Sequence, residues 1–449
     1  MKYGSGHQIF FLGIGGIGMS ALARYFMSLG SAVSGYDLTQ TPLTLQLEQE
    51  GVSVFYKDDP VQLPSAIDLA VITPAIPVES KLLAALQSRN VRSLKRSQVL
   101  GKLSEEYFTV AIAGTHGKTT ITALTAQIFQ AAGLPFMAFI GGIANNFNSN
   151  LVLKPDAHIL LVEADEFDRS FLTLSPDIAL ISSVEADHLD IYGSHEQLIA
   201  GFVAFANCLP SAGKLVLQQD QQLNVAQGKL KYGTAAQADV FASGMDIKDG
   251  KQYFKLHWPD NQTADIVFPM PGIHNLNNAL AAATLAYLMG LKIAVVAQAL
   301  EAFRGVKRRF DIRLNNANHY YVDDYAHHPT EIKACLSALR SLFPEKKITA
   351  VFQPHLFSRT RDLMDEFANS FADADQLLLL DIYPAREKPV AGIDSAVLLK
   401  KIKLKEKWQL EKSSLLPKIE LLRPEVLVTM GAGDIDRFVE PIEKMMASW

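Results

Sequence analysis

Two glycine-rich segments carry the residue types that phosphate chemistry requires. In Gly114-Thr115-His116-Gly117-Lys118-Thr119-Thr120, a turn follows the apolar run Phe108 to Ala113 and opens a helix pattern. Backbone N–H groups of such a turn face phosphate oxygens, Lys118 supplies a point charge to the β- and γ-phosphates, and Thr119 offers a hydroxyl to Mg2+. The full P-loop spacing would place glycine where Ile112 stands. Strand, glycine turn, Gly-Lys-Thr and helix in that order still specify a nucleoside triphosphate site. The other segment, Gly13-Ile14-Gly15-Gly16-Ile17-Gly18, follows the run Gln8 to Leu12, and Asp37 lies 19 residues past Gly18. Here bare backbone approaches a pyrophosphate at a helix N-terminus, and Asp37 is placed to accept hydrogen bonds from a ribose. A nicotinamide dinucleotide is the default ligand of that pattern, yet hydride transfer has no use for Lys118 and Thr119. Both signatures together fit an ATP-driven reaction on a substrate that itself carries a nucleoside diphosphate.

Acidic and histidine residues cluster where strand patterns end, the place where parallel sheets gather ligands. Glu163-Ala164-Asp165-Glu166 and Asp187-His188-Leu189-Asp190 close two apolar runs after the lysine turn. If both strands flank the Phe108–Ala113 strand, Glu163 and His188 fall near Thr119, where an oxygen ligand suits Mg2+ and a second metal near His188 would bridge phosphate and the attacking group. Asp165, Glu166 and Asp168 read as helix caps and solvated turns. Asn275 and Asn278 share one face of a helix and are spaced to read a purine edge. Further on, Asp323-Asp324-Tyr325-Ala326-His327-His328-Pro329, then His355, Arg359 and Arg361, then Asp381, Tyr383, Arg386 and Lys388, then Gly431 to Asp434 follow successive strands. Four charged strand ends in one unit face an anionic group.

Positioning these residues takes α/β units, in which strand and helix patterns alternate and sheets are largely parallel. With 449 residues, about three such units are expected. The segment Arg92 to Glu106 reads as a charged linker, and Lys307-Arg308-Arg309 marks a second boundary, giving domains 1–105, 106–307 and 308–449. Residues 211–270 are polar and glycine-punctuated, the mark of an antiparallel β insertion. A near-balanced charge, 42 Lys+Arg against 47 Asp+Glu, excludes a general nucleic-acid coat. Two cysteines are too few for a disulfide framework and fit a reducing cytoplasm. No apolar run reaches the ~18 residues of a membrane span. The glycines inside Ile9 to Met19 argue against a secretory signal there.

The segments GTHGKTT at 114–120, EADE at 163–166, DHLD at 187–190, HNLNN at 274–278, KRRF at 307–310 and DDYAHHPTE at 323–331 resemble the Mur ligases, in order and over essentially the whole chain. The resemblance implies a Rossmann-like N-terminal domain that holds a UDP-sugar through Gly13, Gly15, Gly16, Gly18 and Asp37. It implies a central P-loop ATPase-type domain with a parallel sheet and β insertion, and a Rossmann-like C-terminal α/β domain for the amino acid. Residues 114–120 would bind ATP, with Asn275, Asn278, Arg309 and Asp324 positioning it. Thr119, Glu163 and His188 would bind metal. Tyr325, His327, His355 and Arg359 would face the amino acid and the reacting centre, with His188 or His327 taking the amine's proton. Absence of lysine between Asp187 and Lys214 fits the alanine-adding branch, where other branches carry a carbamylated lysine. Leu356 replaces an arginine of that branch, leaving Arg359 or Arg386 to meet the amino-acid carboxylate. The implied activity joins UDP-N-acetylmuramate to L-alanine through an acyl phosphate, using ATP and Mg2+. A cytoplasmic monomer or homodimer is expected, with no nucleic-acid or membrane partner. Alternatives are a recycling ligase adding a tripeptide to the same sugar nucleotide, a dehydrogenase, and a non-catalytic nucleotide sensor.

Overall fold

A computed structural model describes residues 3–186, 189–226, 228–385 and 387–449. The chain forms two compact units: Met1–Ala242, Leu256–Ala264 and Asn278–Ala299 make one, and Ser243–Lys255, Asp265–Asn277 and Leu300–Trp449 make the other. Three α/β sheets run through them.

The first sheet has strands β1 (Gln8–Leu12), β2 (Ala32–Tyr36), β3 (Ser53–Phe55), β4 (Leu69–Ile72) and β5 (Ser93–Lys95), in the order β3-β2-β1-β4-β5. All its pairings are parallel. Strand β1 shows why: Ile9 and Phe11 pack into one core and Phe10 and Leu12 into another, so both faces are covered by helices. Those helices are α1 (Ile17–Ser28), α2 (Pro42–Gln49), α3 (Lys81–Ser88) and α4 (Arg96–Ser104). Strand β1 lies between β2 and β4, so the crevice where the connections diverge opens at the glycine turn after Leu12. Residues 92–106 are therefore not a linker. They supply β5 and α4, and Val99, Leu100 and Leu103 bury one face of that helix.

In the second sheet β6 (Phe108–Ala113) lies between β9 (Ile159–Glu163) and β10 (Ile178–Ile181), both parallel to it. Strands β7 (Phe136–Ala144) and β8 (Ser149–Leu153) lie beyond β9. On the other side come β11 (Lys214–Gln218), β12 (Lys229–Gly233), β13 (Val240–Lys248), β14 (Lys251–His257) and β15 (Thr263–Phe268). The expected antiparallel insertion is corrected at its start, since β10, β11, β12 and the beginning of β13 all pair in parallel. Helix α5 (Lys118–Ala131) is buried against this sheet along most of its length. Its buried Thr122 and Thr125 stay satisfied by donating to Lys118 O and Ile121 O, each at 2.8 Å.

The third sheet runs β16-β17-β21-β18-β19-β20, from β16 (Asp311–Asn315), β17 (Tyr320–Asp324), β18 (Ile348–Phe352), β19 (Gln376–Leu380), β20 (Glu406–Leu410) and β21 (Val426–Met430). Only β16 is antiparallel to its neighbour. Among the described residues, no helix is long and apolar enough to cross a membrane.

Candidate functional site

The lysine turn sits at the carboxyl end of β6. Left-handed glycines at Gly114 and Gly117, with φ of 130° and 85°, let it fold back over the strand. A Cβ on Gly117 would stand 2.5 Å from Asn278 Oδ1, so the helix beginning at Ile273 packs directly on the turn there. The next strand end ties the turn down: Thr115 N donates to Ser183 O at 3.0 Å, and His116 N to Ser183 Oγ at 2.9 Å. His116 Nε2 lies 3.5 Å from Glu185 Oε2. Thr120 is buried on the first turn of α5.

Parallel pairing sets Glu163 of β9 opposite Ile112 of β6, and so next to the turn. Thr119 Oγ1 donates to Glu163 Oε2 at 3.3 Å, and Gly141 N donates to Oε1 at 2.5 Å. Lys118 Nζ meets Glu166 instead, at 2.8 and 2.9 Å, and Gly114 O at 2.6 Å. Burial by itself would lower the Lys118 pKa, but Glu166, Asp165 and Glu163 raise it above the usual lysine value, so the ammonium stays charged. Asp165 turns the other way and accepts from Arg96 Nη2 at 3.0 Å. Against the pull of burial, Arg96 and then Lys118 hold its carboxyl below the usual aspartate value.

Arg96 also reaches the first glycine turn. A Cβ on Gly18 would stand 2.5 Å from Arg96 Nη1. Gly13 and Ile14 donate to Tyr36 O at 2.8 and 2.9 Å, which folds the turn across the ends of β1 and β2. Asp37 Oδ2 accepts from Gly15 N at 2.8 Å. Asp37 thus braces the turn itself, a contact that its spacing from Gly18 does not disclose. Gly16 N donates to Gly13 O at 3.4 Å and closes the same turn.

The second unit carries another cluster. Strand β17 ends in Asp323 and Asp324, beside Thr429 and Met430 of β21. Asp324 accepts from Phe310 N at 2.9 Å and Ala326 N at 2.8 Å, while burial, partly countered by Arg309, raises its pKa to about 6. The Arg308 and Arg309 guanidinium groups lie over the Tyr325 ring at 5.2 and 4.9 Å. Rings then form a row: Tyr325 to His327 at 5.1 Å, His327 to His355 at 6.1 Å, and His355 stacked on Tyr383 at 5.8 Å. Leu356, which follows His355, is held at φ 70°, a strained setting for a side-chain-bearing residue, and opens the short helix that carries Arg359.

Asn275, spaced to read a purine edge, donates its Nδ2 to Pro271 O at 2.9 Å and is 2% exposed. His188 and Arg386 lie outside the described residues. The reading of Asp165 and Glu166 as caps and solvated turns is corrected, since Glu166 is buried on Lys118 and Asp165 meets Arg96. Adjacency to Glu163 was the available signal for the two acids, and nothing in the sequence marked Arg96.

Comparison with known proteins accords with this geometry. Residues 8–108 match the family description "Mur ligase family, catalytic domain", 112–286 the "Mur ligase middle domain", and 308–434 the "Mur ligase, glutamate ligase domain". The UDP-N-acetylmuramate–L-alanine ligase of Christiangramia forsetii is 44% identical over 445 residues, covering 98% of this chain and 97% of that protein. The protein of the same name from Cytophaga hutchinsonii is 44% identical over 448 residues, covering 97% and 96%. Among solved structures, UDP-N-acetylmuramate-alanine ligase MurC from Thermotoga maritima superposes with a TM-score of 0.84 at 27% identity, covering 98% of this chain and 100% of that one. A murein peptide ligase from Psychrobacter arcticus shares the fold, with a TM-score of 0.73 at 24% identity over 99% of each chain.

Proposed function

Because the chain belongs to the Mur ligase family, we propose that it joins L-alanine to the lactyl carboxylate of UDP-N-acetylmuramate, using ATP. The observation that carries this reading is the convergence of Lys118, Thr119 and Glu163 at the carboxyl ends of the adjacent parallel strands β6 and β9. We assign the sugar nucleotide to residues 1–105, ATP to 106–307 and the amino acid to 308–449.

A carboxylate is a poor acyl donor. Its oxygen attacks the γ-phosphorus of ATP, ADP leaves, and the acid becomes an acyl phosphate. The amine of alanine attacks the acyl carbon and gives up a proton, phosphate departs with the electron pair of the broken C–O bond, and an amide remains. Lys118 stabilises charge on the transferring phosphoryl group, a role for which one preorganised donor contributes on the order of 3–4 kcal/mol. Aligning acid and phosphate contributes about 7–11 kcal/mol more. The Thr119 hydroxyl and the Glu163 carboxylate, hard oxygens 3.3 Å apart, have the chemistry to hold Mg2+. When bound, that ion neutralises charge on the phosphates. His327, with Nδ1 3.2 Å from Glu331 Oε2, is suited to take the amine's proton. The Arg359 guanidinium suits the amino-acid carboxylate.

The test is phosphate release from ATP with UDP-N-acetylmuramate and a panel of amino acids and peptides. Release should require L-alanine and fall at least ~100-fold in Lys118→Ala. Release with a free tripeptide but not with alanine would replace the proposed acceptor, and binding of NAD without ATP turnover would remove the ligase reading.

A further inference from the structure

The acids of the Glu163–Glu166 segment point three ways. Glu163 faces Thr119 and Gly141 N, and Asp165 faces Arg96. Glu166 faces the lysine of the phosphate turn. An ammonium has three N–H donors. Those of Lys118 have close acceptors in Glu166 Oε1 at 2.9 Å, Glu166 Oε2 at 2.8 Å and Gly114 O at 2.6 Å. The lysine that is to grip phosphate is thus already gripped by the chain's own oxygens.

This is a built arrangement. Glu166 is 1% exposed. Its backbone carbonyl accepts from Tyr192 Oη at 2.8 Å and from Arg169 N at 3.0 Å. The chain then leaves through Asp168 and Arg169, both left-handed with φ of 53° and 54° and neither a glycine. Such settings persist only where the surroundings over-determine them. Here the surroundings include the Tyr192 hydrogen bond and the Lys118 pair, which keep Glu166 turned inward while Asp168 turns out to Lys95 at 3.2 Å.

We propose that Glu166 is a positioning residue for Lys118: an internal counter-ion that aims the ammonium at the mouth of the turn, competes with nucleotide phosphate for it, and thereby sets nucleotide affinity. The inference rests on the ATP reading of the turn. For a phosphate oxygen to receive a hydrogen bond from Lys118, Glu166 must release at least one. Carboxylate and phosphate then sit as like charges around one cation, an arrangement that weakens binding. Removing the carboxylate charge while keeping its shape should therefore tighten nucleotide binding. A residue that merely supported the fold would on removal leave affinity unchanged or weaken it.

The experiment is calorimetric titration of the full chain with the ATP analogue AMP-PNP and Mg2+. Wild type, Glu166→Gln, Glu166→Asp and Lys118→Ala are compared, each checked for a cooperative melt. Glu166→Gln should bind on the order of tenfold tighter, the scale of one charge contact. Glu166→Asp, one methylene too short to keep both oxygens on Lys118, should tighten less, and Lys118→Ala should weaken binding. Folded Glu166→Gln that binds as wild type or weaker overturns the inference. Should that variant not fold, Glu166→Asp binding no tighter than wild type overturns it. Wild-type protein that binds no AMP-PNP overturns the ATP reading itself, and the inference with it.

Discussion

Removing Lys118 alone takes its counter-ion from a buried carboxylate inside the first unit, and the structure lets the cost be worked out. The two side chains are 16% and 1% exposed and meet at 2.8 Å. At an effective dielectric of about 20 their Coulomb attraction is about 6 kcal/mol, and desolvation of both ions offsets most of it. The intact pair therefore adds little net stability, while half a pair costs about 3–5 kcal/mol. Lys118→Met should lose that amount. Lys118→Met combined with Glu166→Met removes both charges, keeps the volume filled, and should return to within about 1 kcal/mol of the parent. Turnover should be absent in both. Tryptophan fluorescence in urea reads the stability. A Trp408→Phe, Trp449→Phe background leaves Trp258, which is 4% exposed and packed edge-on to Tyr287 at 5.3 Å within the first unit. An unchanged midpoint in Lys118→Met would refute the argument, as would a double variant no more stable than the single one.

Gly18→Ala would set a methyl 2.5 Å from Arg96 Nη1 and 3.0 Å from its Cδ, on a guanidinium already tied to Asp165. At about 1–3 kcal/mol of overpacking, UDP-N-acetylmuramate binding measured by calorimetry should weaken about tenfold with AMP-PNP binding unchanged. Equal affinity for the sugar nucleotide would show that the approach of Arg96 to the turn does not matter. Phe171 is fully buried, stacked on Phe205 at 5.1 Å and edge-on to Phe202 at 5.4 Å. Phe171→Ala should cost about 3–5 kcal/mol in urea titration, and a loss below about 1 kcal/mol would contradict that packing. Burial lowers the His274 pKa from 6.5 to about 4. Between those values the unfolded chain takes up a proton that the folded chain does not, so stability falls as pH drops through that window and is flat above it. Asp324, raised from 3.8 to about 6, acts with the opposite sign, losing stability as pH rises. Comparing wild type with His274→Gln at pH 7 and about 4.5 separates the two. A drop of the same size in both would refute the assignment.

Much of the fold was legible because each central strand announces itself: Phe108–Ala113, Ile348–Phe352, Gln376–Leu380 and Val426–Met430 are buried on both faces over nearly all their length and read as mostly apolar runs, each with a single Thr or Gln. Strands half exposed at sheet edges, such as β16 and β20, give weaker patterns and escaped notice. Residues 92–106 misled for a related reason. Arg92, Lys95, Arg96, Lys102, Glu105 and Glu106 outnumber the stripe Val99, Leu100 and Leu103 that makes α4 a core helix. In residues 211–270 the glycines were seen, but the direction of pairing depends on where the chain returns after each turn, which local spacing does not encode. Among site residues, those named by a turn of fixed length, Gly114 to Thr120, were accessible. Glu166 was not, because which of several adjacent acids faces inward is decided by the left-handed pair Asp168 and Arg169 two and three residues later.

The two phosphate signatures share a feature that neither motif states. In the first, Gly15 N–H, a donor of the sort a pyrophosphate would use, is held by Asp37 Oδ2 at 2.8 Å. In the second, Lys118 is held by Glu166 at 2.8 Å. A donor buried near its neighbours and left unpaired costs about 1–3 kcal/mol, so a turn dense in N–H groups gains stability when a carboxylate from the chain stands opposite. That carboxylate then opposes every incoming anion. Binding at either turn becomes an exchange of one anion for another, and affinity reflects the difference between two strong interactions. The sign of a mutation's effect follows. Neutralising Asp37 or Glu166 lowers stability yet raises anion affinity, whereas removing Lys118 lowers both. Asp37→Asn should therefore melt earlier than wild type and bind UDP-N-acetylmuramate at least as tightly. Loss of binding by a folded Asp37→Asn protein would mean that Asp37 contacts the sugar nucleotide itself, as a ribose ligand would, and the exchange account would then hold for the lysine turn alone.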